Sequence, residues 1–290
     1  MAQETPIEYQ IIRGLPFPTG LMWKKENIEQ ALDYCPQDGD IIIASYPKTG
    51  TTWLQYTVLQ IISNGELFPS MQELDRVCPF MEITGVSAVQ SLQEPRSYKH
   101  HLPYNMVKKN PKAKYLYIYR HPEDTVTSYF HFLKNRGSYK CDFQDFFERF
   151  IRGEQAYGCY FDHVLSYFAA KEDKNILLVS YEKLQSNRKE GILQIAKFLG
   201  ENYYKSMIAD DSVLEKVLQK TSFDYMKNHL RMIVPAQEND IDKPKEITFF
   251  RKGLVGDGKE FLTNEQKQRL RSLMLSKVHD RELLAEWSSR

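Results

Sequence analysis

The sequence predicts an α/β fold, a central parallel sheet flanked by helices on both faces, in a single domain covering residues 1–290. Three apolar, β-branched or aromatic runs carry that expectation: Asp40-IIIASY-Pro47, Lys114-YLYIY-Arg120 and Ile176 to Ser180. A run that is apolar at consecutive positions buries both of its faces, as a strand in a helix-covered parallel sheet does. Each run is followed, after a short connection, by a helix-like segment, and that alternation implies parallel strands. Ligands in such sheets bind beyond the carboxyl ends of the strands. The segments beginning at Tyr46, Arg120 and Tyr181 occupy those ends.

The elements follow in order. After a Pro- and Gly-rich opening and the first strand, a helix is expected from Thr51 to Ser63, with Trp53, Leu54, Val58 and Ile61 as its packing residues. The second strand is ended by His121-Pro122. The segment Glu123 to Lys134 opens with acids, which complement the positive end of a helix dipole. The third strand leads to an amphipathic helix from Arg188 to Leu199, stopped by Gly200. The stretch from Ile233 to Thr248 is polar and contains Asn239, Asp240, Pro244 and Lys245, so a long, lid-like loop is expected there. The C-terminal helix begins at Thr263, where Thr-Asn-Glu-Gln forms a capping box.

Composition narrows the function. Hydrophobic residues at 42% and charged residues at 27% fit a globular chain and exclude a disordered one. With 39 Lys and Arg against 38 Asp and Glu there is no global field for nucleic acid, so any anion site must be local. The 18 Tyr and 16 Phe suit a pocket for flat, apolar ligands as well as a core. Cys35, Cys78, Cys141 and Cys159 form no CxxC pair, so neither a metal site nor a disulfide framework is expected. The first twenty residues lack a secretory h-region, and the apolar runs are too short to cross a bilayer. The expectation is a soluble, cytoplasmic protein with neither a nucleic-acid nor a membrane partner.

Three motifs bear on chemistry. Tyr46-Pro47-Lys48-Thr49-Gly50-Thr51-Thr52-Trp53 joins the first strand to its helix. Gly50 permits a tight turn, and Thr51 and Thr52 place hydroxyls beside the orphan N–H groups of a helix start, which makes a P-loop-like anion cradle. It is not a Walker A loop, because the lysine precedes the glycine, and no Mg²⁺ carboxylate accompanies it. In Arg120-His121-Pro122-Glu123-Asp124-Thr125-Val126-Thr127-Ser128, an arginine at a strand end and a hydroxyl two turns along a helix fit a second phosphate, or an arginine that only caps its strand. Arg251-Lys252-Gly253-Leu254-Val255-Gly256-Asp257 pairs two cations with two glycines, as an anion-binding loop or a solvated turn does.

Together, in this order and spacing, the motifs resemble the signature of the cytosolic sulfotransferases, from Gly14-Leu15-Pro16-Phe17-Pro18 through the C-terminal helix. The resemblance implies a sulfonate transferase using 3′-phosphoadenosine 5′-phosphosulfate (PAPS), releasing PAP, and acting on a small hydroxylated acceptor without a metal. It further implies that Lys48, Thr49, Gly50, Thr51 and Thr52 hold the 5′-phosphosulfate and that Trp53 stacks on adenine. Arg120, Ser128, Arg251, Lys252 and Gly253 are implied to bind the 3′-phosphate. Tyr181, Thr221, Phe223 and Met226 are implied to line the adenine pocket. The general base is implied to be His101, the histidine directly before Leu102-Pro103 as in the family pattern, with Lys99 implied to assist at the sulfonate. An extended segment turns successive side chains to opposite faces, which separates His101 from His100.

Two departures from the family pattern stand out. Gly258 replaces the tryptophan that normally follows Gly256-Asp257, so a looser lid is expected. The dimer motif KxxxTVxxxE is matched at Lys259 and Thr263 only, with Asn264 and Gln268 in place of Val and Glu, which leaves a homodimer open. An ATP-dependent kinase is disfavoured by the missing Walker A lysine, and a binding protein that has lost catalysis by the presence of Lys48 and His101. The loops Phe80 to Val86 and Phe132 to Cys141 fit a phenol, a catecholamine or a larger alcohol.

Overall fold

A computed structural model describes residues 8–67, 70–137, 140–230, 232–234, 245–247 and 250–289. The chain opens with a hairpin of β1 (Tyr9–Ile12) and β2 (Leu15–Pro18), then α1 (Lys25–Asp33), β3 (Ile41–Ser45) and α2 (Thr51–Ile62). Short helices α3 (Met71–Val77), α4 (Met81–Thr84) and α5 (Val86–Gln90) lead into β4 (Ser97–His100), β5 (Lys114–Tyr119) and α6 (Pro122–Asn135). Next come α7 (Phe143–Ile151), α8 (Tyr160–Phe168), β6 (Ile176–Ser180), α9 (Tyr181–Ser186) and α10 (Arg188–Leu199). Helices α11 (Glu201–Ala209), α12 (Asp211–Lys220) and α13 (Phe223–His229) precede the ribbon of β7 (Met232–Val234) and β8 (Lys245–Ile247). The described chain ends with α14 (Asp257–Phe261), α15 (Asn264–Lys277) and α16 (Arg281–Ser288).

The sheet is parallel, in the order β4-β3-β5-β6, with Ile41 opposite Ser97 on one side and Lys114 on the other. Side-chain alternation gives its two faces different cores. Ile42, Ala44, Tyr115, Tyr117 and Tyr119 face an aromatic layer completed by α6, α7, α8 and the C-terminal helices. Ile41, Ile43, Leu116, Ile118 and Val179 face an aliphatic layer made with α2, α10, α12 and α13. Ile43, Leu116 and Ile118 are wholly buried, each stabilising the fold by about 1.5–3 kcal/mol. The one acid at the start of this sheet, Asp40, is buried but satisfied: it accepts from Arg96 Nε at 2.7 Å and from the Gln37 N–H at 2.9 Å.

The predicted parallel sheet and its connecting helices are therefore present. The β1–β2 hairpin and the edge strand β4 were not expected as strands. Thr263 is the cap of α15 and lies just outside it, with the Gln266 N–H donating to its hydroxyl at 3.2 Å and its own N–H to Gln266 Oε1 at 3.0 Å. The expected long loop from Ile233 to Thr248 is corrected at its ends, where β7 and β8 pair antiparallel; residues 235–244 and 248 lie outside the described residues.

Candidate active site

The loop after β3 owes its shape to backbone conformations that few residues adopt. Gly50 has φ 115°, and a Cβ there would sit 2.8 Å from the Tyr181 ring and 2.9 Å from Ile118. Lys48 has φ 69°, a left-handed conformation that costs a residue bearing a Cβ and marks a held position. Thr49 supplies the hold: its buried hydroxyl bonds to the carbonyls of Tyr46 and Ile118, at 2.8 and 2.9 Å. Its side chain is thus turned into the core, so only its backbone is left to face a ligand. The N–H groups of Thr51, Thr52 and Trp53 form the first turn of α2, whose first intrahelical bond runs from the Leu54 N–H to the Gly50 carbonyl.

Positive charge collects over this turn. The Lys48 ammonium lies 3.9 Å from the centre of the Phe132 ring. Burial pushes its pKa down to about 7, and Arg120, Arg136 and Arg251 add repulsion. Such mutually repelling cations at a helix N-terminus are relieved by a polyanion. The Arg120 guanidinium at the end of β5 lies 4.3 Å from the Tyr181 ring and donates to the Leu254 carbonyl at 2.7 Å. Ser128 is half-buried two turns into α6. Arg251 and Lys252 both pair with Asp257, Lys252 at 2.5 Å. Gly253 has φ 65°, and a Cβ there would run into the Phe223 ring. The structure thus brings the arginine that follows β5 and the Arg251–Gly253 loop together, though they are more than 130 residues apart in sequence.

Beside them lies an aromatic niche. Trp53 Nε1 donates to the Thr221 carbonyl at 3.0 Å, and its ring is edge-on to Tyr181 at 5.2 Å. Met226 is buried in the same apolar cluster as Tyr181, against which Trp53 packs. At Gly258 the N–H donates to Asp124 Oδ1 at 2.7 Å, and a Cβ there would overlap the Glu123 backbone, so residue 258 is itself closely docked; residues 235–244 and 248 of the expected lid lie outside the described residues.

His101 stands at the carboxyl end of β4, across β3 from the β5 end. Its Nδ1 lies 2.7 Å from the Ser45 carbonyl, which can only accept, so Nδ1 carries the proton and Nε2 the lone pair. Ser45 also meets Thr51, Oγ to Oγ1, at 2.5 Å, which links the imidazole to the first turn of α2. The His101 N–H donates to Glu82 Oε1 at 2.7 Å, and His163 Nε2 bonds to the His101 carbonyl at 2.8 Å. Tyr117 donates to the other nitrogen of His163 at 2.9 Å. Phe80 and Tyr157 flank the imidazole edge-on, at 4.9 and 5.3 Å. Burial pushes the His101 pKa down to about 3, which keeps it neutral. His100 points the other way, buried, with Nδ1 accepting the Leu102 N–H at 3.1 Å. Lys99 shares the His101 face and reaches Gln55 Oε1 at 3.2 Å and Asp75 Oδ1 at 3.1 Å.

Sequence reasoning missed Ser45, Glu82, Asp124 and His163. Asp124 lies inside a motif already singled out, and Ser45 is a polar residue ending an apolar strand; those were the available signals.

Comparison with known proteins identifies the family. The sulfotransferase domain model matches residues 38–282. The chain is 31% identical to sulfotransferase 1B1 of Canis lupus familiaris over 273 residues, 90% of this chain and 89% of that protein. It is 31% identical to Homo sapiens sulfotransferase 2A1 over 278 residues, 92% and 94% of the two chains. The crystal structure of mouse sulfotransferase SULT7A1 complexed with PAP superposes with a TM-score of 0.77 at 28% identity, covering 97% of this chain and 99% of that one. The chain therefore belongs to the sulfotransferase family of PAPS-dependent enzymes.

Proposed function

We propose that this chain transfers the sulfonate of PAPS to the hydroxyl of a small acceptor, with His101 as general base, in the cytoplasm. The observation that carries the reading is the Thr51–Ser45–His101 chain, which ties a neutral imidazole to the anion cradle. Lys48, Gly50, Thr51, Thr52 and the Thr49 backbone hold the 5′-phosphosulfate. Arg120, Ser128, Arg251, Lys252 and Gly253 hold the 3′-phosphate, and Trp53, Tyr181, Thr221, Phe223 and Met226 surround adenine. PAPS, when bound, supplies an activated sulfonate. His101 Nε2 takes the acceptor's hydroxyl proton, and Nδ1–H stays on the Ser45 carbonyl, which fixes the ring's direction. Negative charge brought to the cradle favours imidazolium, so it lifts the depressed basicity of His101 toward the working range. Lys48 neutralises charge at the leaving phosphate, and Lys99 does so at the sulfonate.

Phe80, Phe132 and Tyr157 surround this machinery with rings, which supports a flat acceptor: a phenol or a catecholamine ahead of a larger alcohol or an amine. An acceptor panel incubated with PAPS and read by mass spectrometry tests this. Sulfonated phenols are expected; a panel in which no acceptor gains sulfonate would sink the proposal.

PAP is also expected to raise the melting temperature without Mg²⁺. A ligand that binds only the folded state stabilises it by about 4 kcal/mol at a thousand times its Kd. Scanning calorimetry showing stabilisation by ATP–Mg²⁺ but none by PAP would refute the donor assignment.

A further inference from the structure

Asp124 is almost wholly buried at the start of α6, and its carboxylate faces a segment more than a hundred residues away. Oδ2 accepts the Gly256 N–H at 2.9 Å, and Oδ1 accepts the Gly258 N–H at 2.7 Å. Oδ2 also lies 3.4 Å from Arg120 Nη2, the nitrogen that donates to the Leu254 carbonyl at 2.7 Å. One ion pair on the β5–α6 junction therefore grips the backbone of three alternate residues, 254, 256 and 258. The approach is so close that a Cβ on Gly258 would overlap the Glu123 carbonyl group.

We infer that Asp124 is the positioning residue that docks the Arg251–Gly253 loop over the nucleotide's 3′-phosphate, and that glycine at 258 makes this docking possible. The inference rests on the assignment of that loop to the 3′-phosphate. A buried carboxylate that accepts two N–H groups and faces a guanidinium is fully satisfied, so it fixes the loop at little desolvation cost. The loop's cations are meanwhile held by a different acid, Asp257, immediately after the glycine turn. Division of labour follows. Asp124 fixes the backbone, while Arg251 and Lys252 remain able to exchange a carboxylate for a phosphate. An aromatic side chain at 258 has no room in this arrangement, so the loop is anchored here by backbone hydrogen bonds.

The test uses the full chain with Asp124→Asn and Gly258→Ala, titrated by calorimetry with adenosine 3′,5′-bisphosphate and with adenosine 5′-monophosphate. Each variant is expected to lose about tenfold or more of the preference for the bisphosphate, the loss of hydrogen bonds to a charged acceptor. The double variant is expected to fall little further, because both substitutions break one contact. A general loss of stability weakens both nucleotides alike and leaves their ratio unchanged, so the ratio separates positioning from folding. The two substitutions attack the contact from opposite sides, and either one that keeps a cooperative melting transition is sufficient. Wild-type preference retained in a folded variant overturns the inference. A wild type that does not distinguish the two nucleotides overturns the 3′-phosphate assignment beneath it.

Discussion

His101→Ala is expected to lower kcat by about 10²–10⁴-fold while PAP affinity stays near the wild-type value. The imidazole makes its side-chain hydrogen bond to Ser45 and presents its other nitrogen away from it, so the lost group serves the acceptor's proton and not the nucleotide. His100→Ala is the informative partner. His100 is buried on the opposite face of β4, where its Nδ1 satisfies the Leu102 N–H. Its removal is therefore expected to lower stability and to leave kcat largely intact in the protein that remains folded. The measurement is kcat, with nucleotide Kd and melting temperature, for both single variants. An active His101→Ala enzyme beside an inactive His100→Ala one would place the base on the wrong residue.

A smaller effect of the same geometry concerns His101's surroundings. Glu82 is buried against the His101 N–H, and burial pushes its pKa up to about 8. His163, pushed down to about 4 by burial, stays neutral at physiological pH between Tyr117 and the His101 carbonyl. The His101 backbone is thus held on both sides by groups that carry little charge, which limits their pull on the imidazole.

These supports explain what the sequence could and could not disclose. The strands β3 and β5 were legible because a strand buried on both faces is apolar without interruption, and β6 because its ILLV run is apolar although Leu177 and Leu178 are only partly buried. Their carboxyl ends marked themselves by an abrupt change to Lys48, Arg120 and Tyr181. The hairpin β1–β2 was hidden because LPFP puts prolines where a strand signal is sought. Strand β4 was visible as an extended run but not as part of the sheet, because Ser97, Lys99 and His100 are polar and nonetheless buried. Of the three, Lys99 shares the face of His101. The supporting contacts join residues 56, 62 and 132 positions apart, for Ser45 with His101, His163 with His101 and Asp124 with Gly256. No local pattern encodes a pairing of that range. Only the topology, which lines up three strand ends, brings the partners together.

Lys48→Met is expected to reduce kcat by about 10²–10³-fold, the loss typical of removing one donor from a developing anion. It also carries a signature in binding that no packing defect reproduces. Burial and three arginines push the Lys48 pKa down to about 7, so at pH 8 Lys48 is mostly neutral. A bound polyanion reverses the balance, because opposite charge favours the ammonium. Binding PAP at pH 8 is then expected to take up a proton, approaching one per site, and affinity is expected to fall as pH rises from about 7, by up to about tenfold per unit. The phosphate groups do not obscure this, since their second ionisation near pH 6 is complete at pH 8. Calorimetry of PAP binding in buffers of differing ionisation enthalpy measures the uptake directly. Wild type is expected to show it and Lys48→Met to lose it. Binding without proton uptake in the wild type, or uptake that survives the methionine, would show that Lys48 is not the group that meets the nucleotide's charge.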